Sequence, residues 1–248
     1  PLGVHFGTKP GERVPDPYFG GAGPDRVGCL QCGGCMTGCR HNAKNTLPKN
    51  YLGLAESAGA EVFPLTTVTS LEERDGKWVV TTRKSNSWMG IKKRFTADEV
   101  IVAAGTYNTQ KLLHSMKSKG KLPKLSSRLG ELSRTNSESL VGAIMPNTDI
   151  DFSSGAAITS SFYPDDNTHV EPVRYGKGSN VMGLLQTAMT DGNSVSERRK
   201  QWLKTIIRKP SLIATILNGK RWSERTVIAL VMQDVDSAIR VKSKRSEE

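Results

Sequence analysis

The four cysteines of the chain lie close together, at Cys29, Cys32, Cys35 and Cys39. Their spacing, C-x2-C-x2-C-x3-C, is that of bacterial ferredoxins, where clustered thiolates ligate iron–sulfur clusters and nearby glycines permit tight turns. Arg40 stands where the ferredoxin pattern has proline. A 4Fe-4S cluster, a four-thiolate zinc site, neighbouring disulfides and reduced structural thiols all remain open, with iron–sulfur favoured over zinc because zinc sites usually separate their cysteine pairs more widely.

A second candidate for chemistry is the run Val100–Gly105, an apolar segment that ends on glycine before an apparent helix from Thr106 to His114. Small residues at a strand-to-helix turn let a ligand approach the backbone. The helix N-terminus then offers unpaired N–H groups to an anionic group. This run therefore predicts a strand-to-helix turn that contacts a dinucleotide.

The elements around this turn are predicted to be β-strands. Glu61–Leu71, Lys77–Arg83 and Lys93–Thr96 have strand composition, and Asp75-Gly76 is a hairpin signal between the first two. In a dinucleotide-binding domain, antiparallel strands of this kind are typically followed by a continuously apolar strand. That last strand is buried because it joins a parallel sheet. We expect the predicted strands to belong to a larger sheet.

Several blocks in this order and spacing make the chain similar to the glucose-methanol-choline (GMC) flavoprotein oxidoreductases, in their cholesterol oxidase-like branch. The resemblance covers roughly residues 25 to 190, and its order carries more weight than any single block. The blocks are Lys44–Leu47 with Lys49–Leu52, Thr66–Val68, Ala103–Gly105 with Gln110–Leu113, Gly120–Leu125 and Val170–Pro172.

This resemblance implies FAD as cofactor and a hydroxyl group as the site of oxidation. By the same resemblance, Val68 matches a strand position near the adenine, and Ala103, Ala104 and Gly105 match the turn that approaches the cofactor closely. Asn136 falls in a polar loop that lies near the flavin in relatives. All five are expected to bind the cofactor, although Asn136 also suits an ordinary turn.

The resemblance also implies a catalytic carboxylate in the segment Thr168–Val173, where Glu171 is the matching residue. Its neighbours Val170 and Pro172 would supply apolar surroundings suited to a proton acceptor. An ordinary ion pair with Arg174 is the alternative role. His169 would share a strand face with Glu171 and is a secondary candidate. A sterol or another bulky apolar alcohol is the expected substrate.

The glycine-rich turn that holds the flavin pyrophosphate in this family has no counterpart, since Gly20–Pro24 lacks the final glycine and follows no strand. We therefore expect Gly20–Pro24 to be a loop, and the chain to be an internal fragment. The predicted fold class is α/β (α+β): residues 1–140 form part of a Rossmann-like FAD-binding domain, and 141–248 part of a β-sheet substrate domain with strands at Asp149–Phe162 and Val227–Val241.

A net charge of +11 comes from dispersed basic residues, without zinc-finger spacing or a basic motif interleaved with aromatic residues, so nucleic acid is not an expected partner. Lys200–Trp222 alternates apolar and basic residues around Pro210 and predicts an amphipathic helical hairpin, either core-facing or in peripheral contact with a membrane. The expected location is cytoplasmic or peripheral membrane, with a secretory signal not assessable from this chain.

Two further functional classes stay open beside the flavin enzyme. An iron–sulfur electron-transfer module predicts iron and acid-labile sulfide without flavin. A basic lipid-surface binding domain predicts vesicle binding that salt weakens, without any chromophore.

Overall fold

A computed structural model describes residues 2–146 and 149–243 of the chain. Its described residues form a mixed α/β structure whose paired strands are all antiparallel. The strands are β1 Arg13–Val14, β2 Arg26–Val27, β3 Thr66–Arg74, β4 Lys77–Lys84, β5 Lys92–Ala97, β6 Ser133–Arg134, β7 Ser139–Ile144, β8 Phe162–Asp165, β9 Thr168–Val173, β10 Thr226–Gln233 and β11 Ala238–Ile239.

Five α-helices accompany these strands in the described part of the chain. They are α1 Tyr51–Ser57, α2 Gly105–Ser118, α3 Val195–Arg208, α4 Pro210–Leu217 and α5 Trp222–Arg225, with 3-10 segments at Leu47–Lys49 and Asn180–Leu185. Within these ranges no helix is both long and apolar enough to cross a bilayer.

The described chain divides into two compact units, each built from two separate segments. The first unit contains residues 1–60 and 136–235, and the second contains residues 61–135 and the segment that begins at Asp236. This division follows long-range contacts, and it is distinct from the sequence-based boundary near residue 140. The assignment of cofactor and substrate domains stays a prediction.

The first unit is organised around the four-stranded sheet β7-β10-β9-β8. One face of this sheet carries the apolar cluster of the unit, because Val173 of β9 belongs to the cluster and pairs with Ile228 of β10, which packs against it. The cluster comprises Cys35, Ala156, Ala157, Ile158 and Val173, with Leu2, Val4, Ile228 and Leu230 packed against it. The cysteine-rich segment is thus packed onto the sheet.

The second unit contains the sheet β3-β4-β5, and the predicted hairpin at its tip is confirmed. Asp75 and Gly76 both have positive φ, 52° and 74°, which a two-residue type I′ turn requires. The first strand begins later than predicted, at Thr66, because a turn at Pro64 and Leu65 precedes it. On the sheet, Leu71 packs against Met116 of α2, with the Leu71 N–H 3.2 Å from the Met116 sulfur.

Two predicted strands are wrong. Val100–Ala104 is not a β-strand, because a strand needs a hydrogen-bonded neighbour and no described strand pairs with this segment. Most of Asp149–Phe162 is irregular, since the Asp151 carboxylate accepts bonds from the N–H and hydroxyl of Ser153 and turns the chain. The second predicted strand, Val227–Val241, is confirmed at β10 and β11, with a break between them.

Candidate functional site

Strand β9 places Glu171 on the apolar face of the four-stranded sheet. Side chains alternate along a strand, so Glu171 and Val173 face the same side. Glu171 lies opposite Leu230 of β10, a residue that packs against the apolar cluster. The Glu171 side chain is 15% exposed. A carboxylate that is largely buried but keeps some access to solvent suits acceptance of a proton from an apolar substrate.

His169 shares this face with Glu171, as the strand pattern predicted. Its Nε2 lies 3.8 Å from Glu171 Oε1, an ion-pair distance too long for a hydrogen bond. The ring stacks on Tyr163 of β8, with centroids 4.6 Å apart and an interplanar angle of 8°. His169 Nε2 is buried and has no hydrogen-bond partner among the described residues. The stack holds the imidazole beside the carboxylate, and Nε2 is enclosed there with its hydrogen-bonding capacity unused among the described residues.

Asn136 lies beside one end of the same sheet. Its carbonyl oxygen accepts a hydrogen bond from the Gln233 N–H at 3.3 Å, and Gln233 pairs with Thr168 in the neighbouring strand. The Asn136 side-chain amide donates to the Glu138 carboxylate at 2.9 Å. The first unit thus contains His169 and Glu171 on the sheet with Asn136 beside its end, whereas Val68 and the Ala103–Gly105 segment belong to the second unit.

The predicted glycine turn is present at the start of α2. Gly105 has a φ of 76°, and no atom lies within 4 Å of the position that a Cβ would take. The Ala104 N–H is capped by the Thr109 hydroxyl at 3.0 Å, and the first turn of α2 carries no acidic residue. Open space, first-turn N–H donors and the positive end of a 14-residue helix suit an anionic group.

Val68 lies in β3 opposite Thr82, next to a β-bulge between Val68 and Ser70. The bulge locally breaks the ladder, and Val68 is 38% exposed. Its backbone is therefore less completely enclosed by the sheet than the residues further along β3, such as buried Leu71.

The four cysteines do not form a metal-ligand group in the described structure. Cys29 and Cys35 are buried, Cys39 is half-buried and Cys32 is exposed, all as free thiols. Nowhere in residues 2–146 and 149–243 do three or more Cys, His, Asp or Glu side chains lie close enough to hold a metal ion. The expected iron–sulfur ligand set is therefore not assembled among the described residues, and the four cysteines differ in their exposure to solvent.

Individual thiols have different environments instead. Burial raises the pKa of the Cys29 thiol, although the Gln31 N–H donates to its sulfur at 3.3 Å. Burial also acts to raise the pKa of Cys39, but hydrogen bonds from the backbone N–H groups of Ala43, Lys44 and His41 outweigh it and lower that pKa. The cysteine segment is thus a hydrogen-bonded loop.

Two glycines fix this loop in place. Gly33 and Gly176 are in direct backbone contact, since a Cβ on Gly33 would lie 2.8 Å from the Gly176 Cα. A Cβ on Gly176 would lie 2.6 Å from the Cys32 carbonyl oxygen. Cys32 also forms an isolated parallel bridge with Gly155. The cysteine segment is therefore held against two later segments of the same unit.

The sequence did not reveal a buried polar cluster at α5. The Glu224 carboxylate, 7% exposed, accepts a hydrogen bond from the Ser223 hydroxyl at 2.7 Å. The Ser223 N–H donates to the Asn180 side chain at 3.1 Å, and the Gly178 N–H donates to the Ser223 hydroxyl at the same distance. Trp222-Ser223-Glu224 matches no motif, and only the fold brings Asn180 to it.

Residues 23–126 match the family model described as GMC oxidoreductase. Two cholesterol oxidases of Mycobacterium tuberculosis, from strains CDC 1551 / Oshkosh and H37Rv, are each 58% identical to this chain over its whole length. The chain covers 45% of the length of each. A cholesterol oxidase of Acinetobacter baumannii is 43% identical over 97% of the chain, which covers 44% of that relative. The chain thus spans slightly less than half the length of these relatives.

Proposed function

Because residues 23–126 of this chain belong to the GMC oxidoreductase family, we propose that the chain is part of an FAD-dependent oxidoreductase that acts on an alcohol. The observation that carries this proposal is 58% identity, over the entire chain, to proteins named cholesterol oxidase. The chain covers 45% of their length, so the proposed activity is that of the full-length protein.

The start of α2 supports FAD as the cofactor. Ala103, Ala104 and Gly105 would hold an anionic part of it, because the open space at Gly105 meets the first-turn N–H groups of a helix without acidic residues there. Val68 and Asn136 would contribute the further contacts that the family resemblance implies. When bound, FAD supplies the hydride acceptor that alcohol oxidation requires.

Glu171 is the proposed proton acceptor for the substrate hydroxyl. It lies on the sheet face opposite Leu230, 3.8 Å from a histidine whose ring is fixed by stacking on Tyr163. His169 Nε2, which is buried without a hydrogen-bond partner among the described residues, would orient the hydroxyl. The apolar face around Glu171 favours a bulky apolar alcohol, and a sterol is the proposed substrate.

No observation favours the iron–sulfur module as a second function, since the described residues hold no metal-ligand group. The flavin proposal is tested by the anaerobic absorption spectrum of the full-length protein before and after addition of a 3-hydroxysteroid. We expect a flavin spectrum that the steroid bleaches, while a 3-deoxysteroid leaves it unchanged. A purified protein with iron–sulfur absorbance and no flavin would contradict the proposal.

Replacement of the carboxylate by its isosteric amide tests Glu171 directly. Glu171→Gln keeps the shape of the side chain and removes the proton acceptor, so kcat is expected to fall by about 10²–10⁴-fold with flavin content unchanged. Steady-state steroid oxidation measures this, with Glu73→Gln, an exposed β3 residue, as the matched control. Full activity of the Glu171 variant would exclude Glu171 as the base.

A further inference from the structure

Helices α3 and α4 have no buried residue, although many of their side chains are apolar. A helix of a globular protein normally buries an apolar stripe against the core. Here Leu203 is 54% exposed, Ile207 is 71% exposed and Leu217 is 70% exposed. The two helices therefore present an apolar surface that the described residues leave uncovered.

The apolar side chains of α3 follow helical spacing. Val195, Trp202, Leu203, Ile206 and Ile207 recur at intervals of three, four and seven residues, which places them along one side of the helix. Helix α4 continues the surface after Pro210, which occupies the first turn of α4. The surface, here called the hairpin face, comprises these five residues with Leu212 and Leu217, and all of them are exposed except Ile206, which is half-buried.

Basic residues border the hairpin face along one side of α3. Lys200, Lys204 and Arg208 recur every fourth residue and so lie in one row. No salt bridge among the described residues involves any of the three. Residues 195–217 carry six basic side chains and one acidic side chain, Glu197. The row is therefore available to an anionic partner.

Hydrogen bonds fix the hairpin in this arrangement. Trp202 Nε1 donates to the Thr187 hydroxyl at 2.8 Å, and the Gln186 amide donates to the Ile216 carbonyl at 2.8 Å. The Ser194 hydroxyl caps α3 by accepting from the Glu197 N–H at 3.1 Å. The helices are thus tied to the 186–187 segment and capped before any partner binds.

We propose that the hairpin face docks on the surface of an anionic lipid bilayer. An exposed apolar stripe beside a basic row is the arrangement of a helix that lies in the bilayer interface, with its apolar side among the acyl chains and its cations at the headgroups. The row of uncompensated cations favours anionic lipid over a protein interior, where three unpaired charges at the edge of an apolar contact would be costly. This docking is independent of the proposed oxidation.

Co-sedimentation of the full-length protein with phosphatidylcholine vesicles, with and without phosphatidylserine, tests the proposal. Binding is expected only with phosphatidylserine and is expected to weaken with added salt. Lys200→Gln with Lys204→Gln should weaken it about thirtyfold. Lys92→Gln with Lys93→Gln, which removes two exposed charges from β5, should leave it nearly unchanged.

The apolar contribution is tested by Leu203→Glu with Ile207→Glu, against Met89→Glu in the 88% exposed loop position before β5. The hairpin variant should lose vesicle binding and keep the thermal midpoint of the parent, while the control keeps both. A large fall in the midpoint of the hairpin variant would show that protein covers this face, which overturns the proposal. Equal binding to neutral vesicles, or none, also overturns it.

Discussion

At the residue scale, Asp16 organises the glycine-rich loop that precedes β2. Burial by itself would raise the pKa of Asp16, but hydrogen bonds from the N–H groups of Tyr18, Gly23 and Phe19, with the charge of Arg26, hold that pKa below its ordinary value. The loop predicted at Gly20–Pro24 is confirmed, and the Asp16 carboxylate holds it through the Gly23 N–H.

Because the pKa of Asp16 is depressed in the folded state, its stabilising effect is complete above the unfolded pKa of about 3.9 and is lost as the pH falls through the folded value. Asp16→Asn should therefore lower the thermal midpoint near pH 7 and flatten its dependence on pH below about 4. Thermal melts between pH 2 and 7 measure this, with Asp25→Asn as a control in the same loop. Parallel curves for parent and Asp16→Asn would contradict the assignment.

Arg26 beside Asp16 could not be predicted as a core residue from its type. It is fully buried, and its guanidinium donates to the Pro24 carbonyl at 2.8 Å, the Asn45 side chain at 3.0 Å and the Lys49 carbonyl. Each acceptor comes from a different point in the chain. A buried arginine is tolerated when most of its donors find partners, and these partners come together only once the loops have folded. Among the described residues, Arg26 Nε alone of its guanidinium nitrogens has no partner.

At the element scale, the start of α2 offers a matched pair of substitutions. Gly105 and Gly59, which ends the α1 segment, both have positive φ, 76° and 96°, and both would place a Cβ in open space. Alanine at either position should cost about 1–2 kcal/mol of folding stability through backbone strain alone. Only Gly105→Ala should also weaken FAD binding, because only that turn is proposed to contact the cofactor.

Chemical denaturation and flavin titration of the two full-length variants separate these effects. Equal losses of stability with a selective loss of flavin affinity for Gly105→Ala support the cofactor role. If both variants bind FAD with the affinity of the parent, Gly105 contributes to folding stability and not to cofactor binding.

Short sequence motifs predicted the secondary structure correctly where steric limits on the backbone allow few residue types. The Asp75-Gly76 turn was predictable because few dipeptides tolerate two positive φ values in succession. Pairings between distant segments were not predictable: Ser139 lies opposite Val231 in the sheet that carries Glu171. The strand predicted at Asp149–Phe162 failed for a related reason, since apolar Ala156 and Ala157 are buried in a loop instead.

At the scale of the whole molecule, bound FAD should stabilise the full-length protein by mass action. Free flavin at about 100 times its Kd is expected to add about 2.7 kcal/mol to the free energy of unfolding, because the ligand binds the folded state alone. Melting curves of flavin-stripped protein with and without FAD measure the effect. EDTA serves as the control, and a large destabilisation by EDTA would argue for a structural metal.

The division of the chain into two units could not be predicted from sequence patterns. Each unit combines two segments that lie far apart in the chain, so a boundary drawn along the sequence cannot separate them. The residues proposed for the site were named from family resemblance. Their shared sheet face, as for His169 and Glu171, followed from strand periodicity.

The contact between Gly33 and Gly176 has an evolutionary consequence. Each backbone occupies the space that a side chain on the other would need, and a Cβ on Gly33 would also lie 2.3 Å from the Ser153 carbonyl oxygen. A substitution at one position cannot be rescued by a smaller residue at the other, because both are already glycine. Neither glycine can therefore be replaced without displacing the backbone of the other. Sequence changes in the cysteine loop are expected at its other positions instead.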